Sequence, residues 1–302
     1  NMSNPITHLA FVFLIPCAAF WAPGDKSLNE RVNSEDVQKF ILLATPRSGS
    51  SWMSQMLEGT DHVAYHYNEC FHSEHSMNHC FSEWASPQMK ETGSQNLPRQ
   101  LDLLFSPPSA SNVTHVGFKW MANQHFENKS QVVEALEYIE ENQVKVVALD
   151  RSNLLRKCYS RYDMRVRERI GEHIFDKTDE NNHRRVPHSH MIPESWIDGC
   201  LKRTKMNAAT FNQIINTAKD VIVITYSDLC SDANRVLRKV GKFLGLQEIA
   251  QASELRKSHS GSMHDLVKNW GKLRQHLLNG PYADQIEKWE AEECMQTHTH
   301  KQ

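Results

Sequence analysis

Residues 40–52 read FILLATPRSGSSW. The run from Phe40 to Thr45 is continuously apolar up to the proline, which is typical of a buried parallel strand. A Ser/Gly turn follows, and the residues from Trp52 to Leu57 indicate a helix. A turn from strand into helix presents free backbone N–H groups at the positive end of the helix dipole. This segment therefore predicts an anion site.

The side chains of the turn favour the same interpretation. Gly49 lets the backbone approach an anion closely, Arg47 adds a fixed positive charge, and Ser48, Ser50 and Ser51 add hydroxyl donors. The spacing G-x-x-x-x-G-K-[ST] of ATP- and GTP-binding loops is absent, which disfavours a reaction that uses ATP or GTP. An ordinary serine-rich turn is the alternative.

Further strands alternate with helices along the chain. Alternating elements of this kind predict βαβ units and an α/β fold in which a mostly parallel central sheet is flanked by helices in three layers. Residues 36–295 are expected to form one domain. The predicted strands after the first are His115 to Met121, Val144 to Leu149 and Val221 to Thr225; the predicted helices are Val132 to Glu141, Asn153 to Arg169, Trp196 to Thr217 and Asn234 to Leu244, and Glu172 to Pro193 is predicted to be a loop or lid.

Length and charge exclude several classes of protein. The 302 residues are enough to bury a full core, and 39% apolar with 23% charged residues is a globular composition. The formal net charge of −2 argues against a nucleic-acid coat or a polybasic membrane binder. A local basic pocket for a small anion remains compatible with it.

The N-terminal region resembles a targeting segment. Leu9 to Ala22 is uncharged but shorter than the roughly 20 residues of a membrane span. Residues 1–24 are therefore expected to be a signal peptide or a truncated membrane anchor, and any membrane contact is expected only there. The alternative is a buried N-terminal segment of a cytoplasmic protein.

Cysteines and glycosylation signals point weakly to the same compartment. Six cysteines remain beyond the leader, and Cys70 with Cys80 is the first pairing to expect because its loop is short. Acceptor sequons begin at Asn112 and Asn128. A glycoprotein of the secretory pathway or Golgi lumen is one expectation, and a chain with reduced thiols in the cytoplasm is the other.

With these motifs, the chain from about Phe40 to Tyr282 resembles the sulfotransferases that use 3′-phosphoadenosine 5′-phosphosulfate (PAPS), a family with a P-loop-like fold. The resemblance implies that Arg47 to Ser51 bind the 5′-phosphosulfate and that Trp52 packs on the adenine. The pattern R-x-N-x-L-R-x-x-x-S, from Arg151 to Ser160, resembles the bacterial, protist and trehalose-type branch. By that resemblance Arg151 and Ser160 bind the 3′-phosphate.

Two further elements follow in the family's order. Tyr226-Ser227-Asp228-Leu229 resembles Y-E-D-L, whose Tyr lies near the adenine, although Ser227 replaces the usual Glu. The segment from Arg256 to Gly261 resembles the loop that closes over the donor, which implies that Arg256 and Lys257 bind it. This segment lacks the R-K-G-x-x-G form of cytosolic members.

The catalytic base is expected on the segment after the phosphate loop. Sulfuryl transfer to a hydroxyl needs a group that takes the proton. Tyr67 to His72 resembles an element whose Glu is the proposed base in the same branch, which makes Glu69 the candidate. Rival bases are His66, His72 and His125. Gly117-Phe118-Lys119 resembles the G-F-K strand of that branch, and Lys119 is expected to face the transferring group; the alternative is a solvated lysine.

Other functions stay open at this point. No zinc-ligand pattern occurs in the local cluster of His72, His75, His79, Cys70 and Cys80. The reaction that the resemblance implies needs no metal or redox cofactor. The acceptor is expected to be a hydroxyl of a glycan or a small metabolite. The donor is expected to leave as adenosine 3′,5′-bisphosphate. The alternatives are a catalytically inactive sulfotransferase-like binding protein and a kinase-like nucleotide-binding enzyme.

Overall fold

The computed structural model describes residues 37–66, 69–71, 96–107, 112–124, 129–169, 189–249 and 262–296. Five strands form one sheet in the order β2-β3-β1-β4-β5, and every neighbouring pair is parallel. This confirms the predicted α/β fold with a parallel sheet. The strands are β1 (Gln38–Ala44), β2 (Val63–His66), β3 (His115–Met121), β4 (Lys145–Asp150) and β5 (Val221–Thr225).

Ten helices connect and follow the strands in the described part of the chain. Five of the ten lie within a few residues of boundaries that the sequence predicts, because longer amphipathic segments carry a strong periodic signal. The ten helices are α1 (Ser50–Glu58), α2 (Leu97–Leu104), α3 (Lys129–Glu141), α4 (Leu154–Arg169), α5 (Glu194–Thr217), α6 (Tyr226–Ser231), α7 (Ala233–Leu244), α8 (Met263–Leu266), α9 (Trp270–Leu278) and α10 (Ala283–Gln296).

Helices cover both faces of the sheet. Along β1, Ile41 and Leu43 pack into one apolar cluster, with residues of α2, α3 and α5. Phe40 and Leu42, which point the other way, pack into a second cluster with residues of α1 and α7. This alternation is the two-residue period of a strand that is buried on both sides. The result is the three-layer arrangement that the sequence predicts.

A third apolar cluster joins the C-terminal helices to α4. It contains Leu155 and Tyr159 of α4, Leu201 of α5 and Trp289 of α10. A disulfide between Cys158 of α4 and Cys200 of α5 crosses this cluster.

Gly117 in β3 has a steric reason to be glycine. A Cβ atom at this position would lie 2.4 Å from the ring of Phe40 on the neighbouring strand. The ring therefore occupies the space that any side chain at Gly117 would need, and the two residues together fix how β1 and β3 pack.

Several expectations fall outside the described residues. They are the N-terminal segment 1–24, most of the predicted lid and Cys80. Cys70 is disulfide-bonded, and its pairing with Cys80 stays a prediction. Among the described helices, none combines the length and apolarity that a membrane crossing requires.

Candidate active site

The turn between β1 and α1 forms an open backbone cradle. Arg47 and Gly49 adopt positive φ angles of 66° and 89°, and these residues turn the chain sharply from the strand into the helix. Within the described residues, the N–H groups of Gly49, Ser50 and Ser51 have no backbone acceptor. They lie at the N-terminus of α1, where the helix dipole favours an anion. An anion site at this turn stays a prediction, and the free N–H groups are the feature of the turn that supports it.

Gly49 is held between this cradle and Tyr226. A Cβ atom added at Gly49 would lie 2.8 Å from Cδ2 of Tyr226. Tyr226 begins α6 directly after β5, so the fold brings the end of a distant strand onto the turn. Tyr226 thus closes one side of the loop, and its expected position near an adenine stays a prediction.

Arg47, Arg151 and Ser160 converge although they are far apart in sequence. Arg47 Nε donates a hydrogen bond of 2.9 Å to Ser160 Oγ, and one terminal nitrogen of Arg151 donates to the backbone carbonyl of Arg47 at 3.3 Å. Arg151 also stacks on Tyr226, with its guanidinium carbon 4.2 Å from the ring centroid. The sheet explains this contact, because Asp150 and Thr225, which precede the two residues, are paired in register.

The positively charged side chains of Arg47 and Arg151 therefore lie close together, and the described structure shows no ion pair of either with a carboxylate. Their polar contacts are a hydroxyl, a methionine sulfur and a backbone carbonyl, and none is a carboxylate of the described residues. The buried Nε of Arg151 has no hydrogen-bond partner within the described ranges. Burial lowers the pKa of Arg47, and the neighbouring Arg151 lowers it further, with Asp163 acting in the opposite direction. A bound anion would relieve both the repulsion and the missing hydrogen bond.

The buried hydroxyl groups of the loop lead to the same conclusion. Thr45 Oγ1 and Ser48 Oγ are buried and have no hydrogen-bond partner in the described part of the chain, where Ser50 Oγ contacts only the sulfur of Met121, at 3.9 Å. Hydroxyl groups that are left unsatisfied beside a row of free N–H groups fit a ligand rich in acceptor oxygens, such as a phosphate or sulfate.

A second polar group lies at the ends of β2 and β3. Lys119 Nζ is 3.5 Å from Glu69 Oε1, and Gln124 Nε2 donates a hydrogen bond of 2.6 Å to Glu69 Oε2. Lys119 is only 4% exposed, whereas the Glu69 side chain is 36% exposed. The carboxylate thus joins a buried cation to a surface that an incoming molecule can reach.

The electrostatics of Lys119 depend on this pairing. Burial lowers the pKa of the Lys119 ammonium, and the charge and hydrogen bond of Glu69 raise it in part. A buried lysine without a partner would favour its neutral form, so Glu69 helps to keep the positive charge. A cation that is buried and partly desolvated interacts more strongly with developing negative charge than one in water.

Of the rival bases, His66 is the one within the described residues. Burial lowers the pKa of His66 to about 4, although the ring also bonds the backbone carbonyl of Leu104. A histidine this weakly basic accepts a proton poorly near neutral pH. His72 and His125 lie outside the described residues, as do Arg256 and Lys257.

The structure brings most of the candidate residues together and adds some that the sequence did not indicate. Trp52 is half-buried against the cluster under α1, and its contact with an adenine stays a prediction. Gln124 and Met164, whose sulfur accepts a hydrogen bond from Arg47, carry no motif and were missed. No group of three or more metal-ligating side chains occurs among the described residues.

Comparison with known proteins identifies the family. Residues 37–272 match the family described as sulfotransferase domain. Nodulation protein H of Rhizobium meliloti (strain 1021) is 25% identical over 248 residues, which is 82% of this chain and 94% of the relative. Nodulation protein H of Rhizobium tropici is 24% identical over 248 residues, with 82% and 92% covered. Among solved structures, a sulfotransferase from Alicyclobacillus acidocaldarius has 14% identity and a TM-score of 0.47, over 85% of this chain and 96% of that one.

Proposed function

Because this chain belongs to the sulfotransferase family, we propose that it transfers a sulfuryl group from PAPS to a hydroxyl group of an acceptor, with Glu69 as the general base. The observation that carries the proposal is the convergence of Arg47 and Arg151 on a loop with unsatisfied N–H and hydroxyl groups. A donor with phosphate at the 3′ position and phosphosulfate at the 5′ position offers two anions for these two arginines.

The donor would bind along the carboxyl edge of β1 and β4. The N–H groups at the start of α1, with Arg47 and Ser48, would hold the 5′-phosphosulfate. Arg151 and Ser160 would hold the 3′-phosphate, and Tyr226 would lie beside them. The protein thereby neutralises the leaving phosphate as the bond to sulfur breaks, and such stabilisation is often the largest catalytic contribution.

The transfer itself needs one proton acceptor and one bond exchange. The acceptor hydroxyl gives its proton to a carboxylate oxygen of Glu69 while its oxygen bonds to the sulfur. The bond between sulfur and the bridging phosphate oxygen breaks, and adenosine 3′,5′-bisphosphate leaves with that electron pair. Lys119 stabilises the negative charge on the sulfuryl oxygens next to Glu69. No metal or redox cofactor takes part in this proposal.

The acceptor is proposed to be a carbohydrate or a small hydroxylated metabolite. The accessible side of Glu69 lies among polar donors, Lys119 and Gln124, which suits a hydroxyl-bearing molecule. The bacterial and trehalose-type motifs of the loop and of the Arg151–Ser160 segment favour the same class.

Transfer of label from sulfur-labelled PAPS tests the proposal. The acceptor panel contains trehalose, simple monosaccharides, oligosaccharides and a phenol, and the variants are Glu69→Gln and the exposed-site control Glu248→Gln. We expect a sugar to accept the label and Glu69→Gln to lower kcat by about 10²–10⁴-fold. Binding of adenosine 3′,5′-bisphosphate should stay unchanged, and Glu248→Gln should match the wild type. Full activity of Glu69→Gln would exclude Glu69 as the base.

We also propose that the chain works in an oxidising compartment of the secretory pathway. A disulfide between Cys158 and Cys200, and the exposed sequon residue Asn112, support this proposal. The test is expression through a eukaryotic secretory route followed by endoglycosidase digestion. We expect a mobility shift that Asn112→Gln reduces; a chain without glycan on either sequon would contradict the proposal.

A further inference from the structure

We infer that Gln124 is a positioning residue that holds the Glu69 carboxylate in the orientation needed to accept the proton. The inference rests on the proposed function, because it assumes that Glu69 is the base. Gln124 follows β3 and is 5% exposed, and its side-chain amide makes the shortest polar contact of Glu69, 2.6 Å from Nε2 to Oε2. Its role would be exerted through Glu69 and not by contact with the donor.

The direction of this hydrogen bond follows from the chemistry of the two groups. An ionised carboxylate only accepts hydrogen bonds, so the amide must present its nitrogen to Glu69. The opposite orientation would place the amide oxygen against a carboxylate oxygen. Gln124 Oε1 is buried and accepts no hydrogen bond from the described residues, so no other contact there favours the opposite orientation of the amide.

The backbone of Gln124 is fixed at both of its polar groups. Its N–H donates to the carbonyl of Met121 at 2.8 Å, and its carbonyl accepts from the indole nitrogen of Trp120 at 3.2 Å. The same turn is tied to the phosphate loop, because the N–H of Ala122 donates to the carbonyl of Ala44 at 2.8 Å. The donor of the hydrogen bond to Glu69 thus has a defined position relative to the anion cradle.

Glu69 itself has little else to hold it. Its other described polar contact is with Lys119 at 3.5 Å, which is long for a hydrogen bond, and its side chain is partly exposed. A glutamate side chain that is free to rotate samples several rotamers and loses conformational entropy when one is selected. The bond from Gln124 fixes Oε2, and Oε1 then stays on the side of Lys119, where it can take the proton.

Loss of this bond should slow the chemical step and leave donor binding intact. A displacement of about 1 Å at a reacting group can cost about 10²-fold in rate, so we expect kcat to fall about 10- to 100-fold in Gln124→Met. Met has a similar length and no hydrogen-bond donor. The KM for PAPS should change by less than about twofold, because Gln124 does not touch the predicted donor site.

A double-mutant cycle with Glu69→Gln separates positioning from a general structural effect. If Gln124 acts only through the base, Gln124→Met should lower the residual rate of Glu69→Gln by less than about twofold. A structural role would lower the rate by the same factor in both backgrounds. Gln285→Met is the matched control. Gln285 is also buried and hydrogen-bonded, but it lies on α10 and accepts from the N–H of Leu154 at the start of α4. Gln124→Asn, whose amide is too short to reach Glu69, replaces Gln124→Met if that variant does not fold.

The readouts are the steady-state kcat and the single-turnover rate of transfer from sulfur-labelled PAPS to the best acceptor of the panel. The inference is supported if kcat falls in Gln124→Met but not in Gln285→Met, and if the effect disappears in the Glu69→Gln background. It is overturned if Gln124→Met keeps wild-type kcat or if the effect is equal in both backgrounds. Full activity of Glu69→Gln alone would instead refute the proposed base, and the inference with it.

Discussion

Gly49 is tightly confined in the turn between β1 and α1. Its φ angle is 89°, which L side chains rarely adopt, and the ring of Tyr226 fills the space where a Cβ atom would lie. The two constraints are separable, because Gly245 has a φ angle of 90° with no atom within 4 Å of an added Cβ.

Gly49→Ala and Gly245→Ala should therefore differ. Both variants should lose about 1 kcal/mol of stability from backbone strain, and Gly49→Ala should lose more because of the clash with Tyr226. Only Gly49→Ala should weaken binding of adenosine 3′,5′-bisphosphate. Denaturant unfolding and calorimetric titration measure the two effects. Equal behaviour of the two variants would mean that Tyr226 does not confine the loop.

His66 makes a pH-dependent contribution to stability. Burial lowers its pKa in the folded protein to about 4, below the ordinary value of 6.5 that applies to the unfolded chain. As the pH falls below about 6.5, His66 becomes protonated in the unfolded chain but stays neutral in the folded protein. The free energy of unfolding therefore decreases until the pH reaches about 4. Between pH 7 and pH 4.5 the loss amounts to about 2 kcal/mol.

His66→Gln removes this titration while keeping an N–H donor for the backbone carbonyl of Leu104. We expect urea unfolding to show a smaller loss of stability in the variant than in the wild type over that pH range. The variant His62→Gln, at an exposed position, is the matched control for replacing a histidine by glutamine. An unchanged slope in His66→Gln would contradict the assignment of the effect to His66.

At the scale of single elements, α4 connects the site to the C-terminal helices. Ser160 and Met164, one turn apart, both contact Arg47, whereas Cys158 lies in the third apolar cluster and bonds to Cys200 of α5. The helix thus contacts Arg47 through Ser160 and Met164, and Cys158 bonds it covalently to α5.

The disulfide between α4 and α5 should contribute strongly to stability. It joins residues 42 positions apart, and closing a loop of this length in the unfolded chain corresponds to about 4 kcal/mol. We expect the double variant Cys158→Ala with Cys200→Ala to unfold at clearly lower denaturant concentration than the wild type. The variant Cys230→Ser, at the exposed free cysteine, should unfold like the wild type. An unchanged midpoint in the double variant would show that the disulfide is not formed.

The elements that the sequence predicted are those with a strong local pattern. β1, β3 and β5 are short apolar or alternating runs, and α4 and α5 are long. β2 was missed because four residues at an edge of the sheet carry too little periodicity. α2 was also missed, although Asn96 as an N-cap and Pro98 in the first turn are a recognisable start signal.

At the scale of the whole molecule, the site lies where the strand order changes direction. β1 is central, and the chain runs from it to one side through β2 and β3 and then to the other through β4 and β5. Ligands of open α/β sheets bind at the carboxyl ends of strands around such a point. The turn after β1 and Arg151 after β4 meet there.

The sequence was enough to propose the candidate residues of this site, but not their contacts. Arg47, Arg151, Ser160, Glu69 and Lys119 stand in recognisable motifs, and the fold brings them into two groups. The amide of Gln124 on Glu69 was not predictable, because it depends on how the turn after β3 packs against the segment after β2. Arg47 and Arg151 each have a motif, but their shared lack of a carboxylate partner among the described residues is visible only in three dimensions.

The most direct test of the donor site is a thermal-shift titration with adenosine 3′,5′-bisphosphate, with ATP as the competing ligand. The proteins are wild type, Arg151→Ala and the exposed-site control Arg238→Ala. At 100 times its Kd a ligand stabilises the folded state by about 2.7 kcal/mol, which raises Tm by about 5–10 °C for a domain of this size. We expect this shift with the bisphosphate in wild type and Arg238→Ala, a smaller one with ATP, and none in Arg151→Ala. Equal shifts with both nucleotides, or an unchanged shift in Arg151→Ala, would contradict the proposed PAPS site.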